Sequence, residues 1–144
     1  MYLLDTNVVS ECRKSGGGDV GVQRFMRHAV AGGLPRYVSV LTLGELRRGA
    51  CKLRYRNDIR QAALVESWAE SVKHDFDGRV LDVNQTICNV WGRMRAPHQE
   101  HPIDKLIAAT ALVHRLVVVT RNVKDFSNTG VEVYNPFLHG SLSA

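Results

Sequence analysis

Four acidic residues stand where a carboxylate can do chemistry: Asp5, Glu45, Asp104 and Asp125. Each falls just after a strand-like run or in the first turn of a helix-like one. Each also has an ordinary use. Asp5 can cap the helix that follows it. Thr42 and Glu45 have capping-box spacing, and Asp104 sits where a helix dipole favours negative charge. In an open parallel sheet, however, the carboxyl ends of the strands meet at one rim. Carboxylates gathered there cannot all ionise without compensation. A divalent cation with oxygen ligands is the usual compensation. Mg²⁺ or Mn²⁺ suits the set better than Zn²⁺, because no Cys or His is offered. An acidic pocket in a basic chain then calls for an anionic substrate that bridges to the cation, as a phosphodiester does.

The elements that must position these residues can be read in order. Tyr2, Leu3 and Leu4 form a short buried strand ending at Asp5, and Val8, Val9 and Cys12 give the next helix its buried face. The segment Ser15-Gly16-Gly17-Gly18 is a loop, and no phosphate cradle, because no strand leads into it and no Gly-Lys-Ser/Thr follows. Asp19 caps a helix from about Val20 to Ala31, with Val22, Phe25, Met26, Ala29 and Val30 inward. A strand over Tyr37–Val40 leads to a helix opening at Thr42, and Asn57-Asp58 starts a long helix to about Asp75. A short strand runs over Arg79–Val83, and a helix capped by Asn84 stops before Pro97. Pro102 opens a sharp helix. Leu116–Thr120 reads as a parallel strand buried on both faces, and Val131–Tyr134 as a last, edge strand. Strands alternate with helices throughout, which predicts a parallel sheet covered on both sides.

The totals bound the class. The chain has 144 residues with 44% hydrophobic content, enough for one domain with a real core. Residues 136–144 read as a loose tail. Nothing approaches a membrane span, and the first strand begins at the second residue, so no leader is expected. The three cysteines, Cys12, Cys51 and Cys88, are far apart. They suit a reducing cytoplasm and read as small buried hydrophobes. His98 and His101 flank a Pro-delimited loop with no matching cluster and read as histidines without a ligand role. The net charge of +5 favours acidic partners. The stripe Arg47, Arg48, Lys52, Arg54, Arg56 and Arg60 reads either as a solvated face or as a surface that follows phosphates or a partner.

The segments Leu4-Asp5-Thr6-Asn7-Val8-Val9-Ser10-Glu11, Ser39-Val40-Leu41-Thr42-Leu43-Gly44-Glu45-Leu46-Arg47-Arg48-Gly49, Asp104-Lys105-Leu106-Ile107-Ala108-Ala109-Thr110-Ala111 and Val119-Thr120-Arg121-Asn122-Val123-Lys124-Asp125-Phe126 resemble a PIN domain. More narrowly, they resemble the toxin ribonucleases of VapBC-type toxin–antitoxin pairs, including the FitB-like branch. The resemblance runs from Met1 to about Phe137. It implies a three-layer α/β/α sandwich with a central, mainly parallel sheet. It implies an endoribonuclease dependent on Mg²⁺ or Mn²⁺ that hydrolyses RNA by a metal-activated water, leaving a 5′-phosphate and a 3′-hydroxyl. By motif match, Asp5, Glu45, Asp104 and Asp125 are its metal-binding acidic set. Thr6 and Asn122 would hold phosphate or metal-bound water, with Asn7, Glu11 and Arg121 at the same site. Lys105 stands where such toxins usually carry a small residue, and its ammonium either contacts phosphate or points to solvent. The resemblance also implies a cognate antitoxin, a homodimer, and larger assemblies on DNA through the antitoxin.

Two other classes remain open from the residues. A magnesium-dependent phosphatase of the haloacid-dehalogenase type would want a second Asp two positions after the first, where this chain has Asn7. A receiver-like phosphoacceptor would want adjacent acidic residues at the first strand's end. A non-catalytic module would use the acidic set as a structural cation site and the basic stripe as a protein interface.

Overall fold

The computed structural model describes residues 1–14 and 18–139. Its strands are β1 (Tyr2–Leu4), β2 (Arg36–Ser39), β3 (Val80–Leu81), β4 (Val117–Val119) and β5 (Val133–Tyr134), and its helices are α1 (Thr6–Glu11), α2 (Val20–Ala31), α3 (Val40–Tyr55), α4 (Ile59–Asp75), α5 (Gln85–Arg95) and α6 (Pro102–His114). The five strands lie in the order β3-β2-β1-β4-β5, and every pairing is parallel. Among the described residues no helix is long and apolar enough to cross a membrane.

The alternation of strand side chains builds two cores. On β1, Leu4 faces a core with Val8, Val22, Phe25, Val38, Leu46, Val72 and Val119. Its neighbour Leu3 faces the other side, with Ile107, Ala108, Ala111, Val118 and Phe126. Val118 and Val119 split between the two sides in the same way, as a two-residue period demands. Helices α1 to α4 therefore supply one layer, and α6 with α5 the other. Small residues let α6 approach closely: Ala108, Ala109 and Ala111 are fully buried.

The sheet order places the site. From β1 the chain moves outward through β2 and β3, then returns to the other side of β1 with β4. The reversal lies between β1 and β4, and the crevice at such a switch point is where ligands bind in open α/β sheets. Asp5 N–H donates to the Val119 carbonyl at 2.9 Å, so the residues following β1 and β4 are locked side by side.

Several local expectations are corrected. Helix α3 starts at Val40, and its N-cap is Ser39, whose hydroxyl accepts from Leu41 N–H at 3.1 Å. Thr42 is thus inside the helix, and Glu45 has no capping task. The three cysteines are exposed, as is Val30. Of the expected loop Ser15-Gly16-Gly17-Gly18, residues 15–17 lie outside the described residues. The tail reading of 136–144 fails at its start. Pro136–His139 forms a 3₁₀ turn, Phe137 is buried in the α1–α4 core, and the Arg121 guanidinium lies 3.9 Å from the centre of its ring. A lone aromatic in a polar stretch gives no periodicity, so its anchoring is invisible until α2 and Arg121 are brought around it. Residues 140–144 lie outside the described residues. Phe137→Ala should therefore cost about 3 kcal/mol in urea unfolding, as for other buried phenylalanines; an unchanged midpoint would show that this segment does not hold the core.

Candidate active site

Asp5 is 4% exposed and is held at three points. Its Oδ1 accepts from Thr6 N–H at 2.8 Å, and its Oδ2 accepts from the Thr120 hydroxyl at 2.7 Å and the Asn7 amide at 3.3 Å. Burial pushes the Asp5 carboxyl above its ordinary range, partly offset by the bonds from Thr120 and Thr6. Asn7 also donates to Thr120 Oγ1 at 3.1 Å and accepts from Arg121 N–H at 3.0 Å. Asn122 N–H donates to Thr120 Oγ1 at 3.0 Å. Thr120 is fully buried and ties the β1 turn to the β4 turn. The sequence reading did not single it out. Its position directly after the most strand-like run, level with Asp5 after β1, is the signal that could have.

Glu45 reaches the same rim from α3. The Thr6 hydroxyl donates to Glu45 Oε1 at 3.0 Å and lies 3.2 Å from the buried Thr42 hydroxyl. Burial pushes the Glu45 carboxyl up; the Thr6 hydrogen bond opposes this, and the Asp5 charge adds to it. Asp104 comes from the first turn of α6 and Asp125 from the 3₁₀ turn Val123–Phe126. Asp104 is raised to about 6, first by burial and then by the charges of Asp5 and Asp125, with His101 opposing and Glu45 adding. The four carboxylates therefore lie within electrostatic reach of one another. No single-residue reading of the sequence could show that.

The remaining expected site residues divide. Arg121 and Asn122 are exposed beside this rim. Thr6 and Asn7 are there too, but their polar atoms are engaged with Glu45, Asp5, Thr120 and Arg121. Glu11 is turned to a different task. Its Oε1 accepts from Asp19 N–H at 2.8 Å, and its Oε2 pairs with the Lys14 ammonium at 2.8 Å. The chain passes close over it: a Cβ on Gly18, whose φ is +68°, would sit 2.7 Å from the Glu11 carbonyl. Glu11 thus braces the entry to α2. Lys105 is 1% exposed, so it offers no surface to a phosphate. Its ammonium donates to the Glu100 carbonyl and lies 3.4 Å from Glu100 Oε1. The basic stripe is partly spent within the fold, because Arg54 makes a two-pronged contact with Glu66 at 2.6 and 2.7 Å.

One residue arrives that was set aside. His101 Nε2 lies 3.4 Å from Asp125 Oδ1, and its Nδ1 lies 3.9 Å from Asp104 Oδ2. His98 is not its partner and stands near Glu100, at 3.8 Å. The three residues His101, Asp104 and Asp125 each offer a ligand atom within 4.8 Å of the others. The spacing His-x-x-Asp at a helix start was the available signal.

Residues 2–132 match the PIN domain. The chain belongs to the PIN domain family. It is 31% identical over 142 residues to the Toxin FitB of Neisseria gonorrhoeae, covering 95% of this chain and 99% of that one. It is 28% identical to the VapC ribonuclease Y4jK of Sinorhizobium fredii, covering 95% and 98%. The crystal structure of FitAcB from Neisseria gonorrhoeae superposes with a TM-score of 0.81 at 29% identity, covering 95% of this chain and 99% of that one. A structure of FitAB bound to an IR36 DNA fragment superposes at 0.78 and 26% identity, covering 95% and 96%. The chain is accordingly a PIN-domain protein of the VapC and FitB toxin type, with the α/β/α architecture that the motifs implied.

The raised Asp104 carboxyl has a pH consequence. Its folded-state value near 6 lies above the ordinary carboxyl value of 3.8. Between these values the folded chain holds a proton that the unfolded chain has released, so stability is gained as pH falls through about 6 and lost as it rises. Without added cation, Asp104→Asn should melt above the wild type at pH 7.5, and the gap should narrow as pH falls below about 6 and be nearly gone by about pH 4. A gap independent of pH would contradict the crowding of this carboxylate.

Proposed function

We propose that this PIN-domain protein is an endoribonuclease dependent on Mg²⁺ or Mn²⁺, with Asp5, Glu45, Asp104 and Asp125 holding the cation. The observation that carries this reading is geometric: Asp5 and Glu45 are both held by Thr6, and Asp104 and Asp125 lie within 4.8 Å of a common neighbour, His101, at the rim where the strand order reverses. Burial first, and then the charges of Asp5, Asp125 and Glu45, push the Asp104 carboxyl up. An all-oxygen acidic set of this kind fits a hard divalent cation. These residues would hold the cation, which would supply Lewis acidity for hydrolysis of a phosphodiester.

The chain's own residues prepare that chemistry. Thr120, Asn7 and the Thr6 N–H fix the Asp5 carboxylate in one orientation. The Thr6 hydroxyl does the same for Glu45. Such bracing supplies geometry in advance, which is what lets an electrostatic site act without reorganising at the moment of reaction. Arg121 and Asn122, exposed at the end of β4, would receive backbone phosphates, with the Arg121 guanidinium resting on the Phe137 ring. A shallow pocket of about 210 Å³ beside Thr6 and Glu45 is also lined by Arg13, whose guanidinium lies over the Trp68 ring, and this cation beside the rim would favour an anionic backbone. A phosphatase reading is disfavoured by Asn7, whose amide is spent on Asp5 and Thr120.

The relatives support a partner. FitAB is described as bound to a DNA fragment, and on that likeness and the family's motifs we propose for this chain a cognate antitoxin, a homodimer and assembly on DNA through the antitoxin, in the cytoplasm. The activity is tested with purified protein and a panel of structured RNAs. Cleavage should require Mg²⁺ or Mn²⁺ and stop in EDTA. Asp5→Asn keeps size and capping ability, so it should fold as the wild type does and cleave at least about 100-fold more slowly, corresponding to about 2.7 kcal/mol. Full cleavage in excess chelator, or a near wild-type rate for Asp5→Asn, would refute the proposal.

A further inference from the structure

His101 is held in an unusual way. Its backbone lies in the left-handed region, with φ 50° and ψ 60°, and although it occupies the N-cap position of α6 its side chain makes no capping bond. A non-glycine residue in that region carries strain and persists only where its surroundings enforce it. The surroundings here are explicit. The Arg95 guanidinium donates to the Gln99 carbonyl at 3.1 Å. The buried Lys105 ammonium donates to the Glu100 carbonyl, and Trp91 Nε1 donates to the Pro102 carbonyl at 2.9 Å. Three side chains thus clamp carbonyls on both sides of His101. The imidazole so placed faces two carboxylates, with Nε2 3.4 Å from Asp125 and Nδ1 3.9 Å from Asp104. Its ligand atom and theirs all fall within 4.8 Å. A capping residue would have served the helix better, so helix stability does not account for a histidine at this position.

We propose that His101 supplies a nitrogen donor to the divalent cation held by Asp104 and Asp125, and that Lys105 is a positioning residue that fixes the loop carrying it. This rests on the cation reading of the acidic rim. It has a specific chemical consequence. An added imidazole moves the site from one suited mainly to Mg²⁺ toward one that favours Mn²⁺, since nitrogen donors raise affinity for transition metals more than for magnesium. It also gives the buried Lys105 a task. The side chain that the sequence left between a phosphate contact and solvent acts one step back, through Glu100 and His101.

The test is pulsed electron paramagnetic resonance on the Mn²⁺-loaded full-length protein, beside calorimetric Mn²⁺ titration. Wild type should show the ¹⁴N modulation of a directly bound imidazole. His101→Gly removes the ring and relieves the left-handed strain, so it should melt at or above the wild type while losing the ¹⁴N signal and at least about tenfold in Mn²⁺ affinity. Lys105→Met fills the same space without the ammonium and should weaken the ¹⁴N signal in a folded protein; Arg95→Leu, which frees the Gln99 carbonyl at the surface, gives the same reading if Lys105→Met does not fold. Mn²⁺ that binds with no ¹⁴N modulation, or modulation unchanged in His101→Gly, overturns this inference alone. Titrations showing no Mn²⁺ binding to wild type, or binding unaffected by Asp5→Asn, overturn the cation reading and this inference with it.

Discussion

Electrostatic repulsion among carboxylates is the constraint on which this structure turns. Asp5, Glu45, Asp104 and Asp125 come from four separate segments, yet Asp5, Glu45 and Asp104 each feel the charge of others of the set. Bringing like charges out of water and toward one another opposes folding. The fold accepts this at a sheet rim, where the strand order reverses and a crevice exists without any further device. The hydrophobic cores on the two sides of the sheet hold the rim together against that repulsion.

A small polar network converts this crowding into a defined geometry. Thr120 is its hub: the hydroxyl donates to Asp5 and accepts from Asn7 and from the Asn122 N–H. A buried hydroxyl of this kind is costly if any partner is missing. The network therefore enforces one arrangement of the turns after β1 and β4. Thr6 extends it to α3 by holding Glu45. The opposite layer contributes in another manner. The loop before α6 is clamped by Arg95, Lys105 and Trp91, which presents His101 and Asp104 together. The two layers thus bring carboxylates from both sides of the sheet to one rim, with His101 beside Asp104 and Asp125.

Much of this was legible in the residues because it is local. A carboxylate immediately after an apolar run, as at Asp5, is a feature of adjacent residues. The alternation of strands and helices gave the parallel sheet in the same way, and four linked motifs gave the family. What stayed hidden depends on contacts between distant segments. Glu45 carried a capping reading because the helix start was placed at Thr42, whereas Ser39 begins it and Val40 only looked like strand. Lys105 could not be read as buried before the 96–101 loop was folded over it. His101 could not be brought to Asp125 by any spacing rule, since the two sit on opposite sides of β4 in the chain. Glu11 shared a helical face with Asn7 on paper, but in the structure it is drawn to Asp19 and Lys14.

On the proposed function, the acidic rim stores repulsion that a divalent cation would relieve. Equilibrium unfolding at pH 7.5, with and without saturating Mn²⁺, tests this most directly when wild type is set beside the double variant Asp5→Asn/Asp104→Asn. Ligand that binds only the folded state stabilises it in proportion to its occupancy. Without cation the double variant should be the more stable of the two; with Mn²⁺ the wild type should gain stability and the variant almost none. A double variant less stable than cation-free wild type, together with a wild type indifferent to Mn²⁺, would contradict the account.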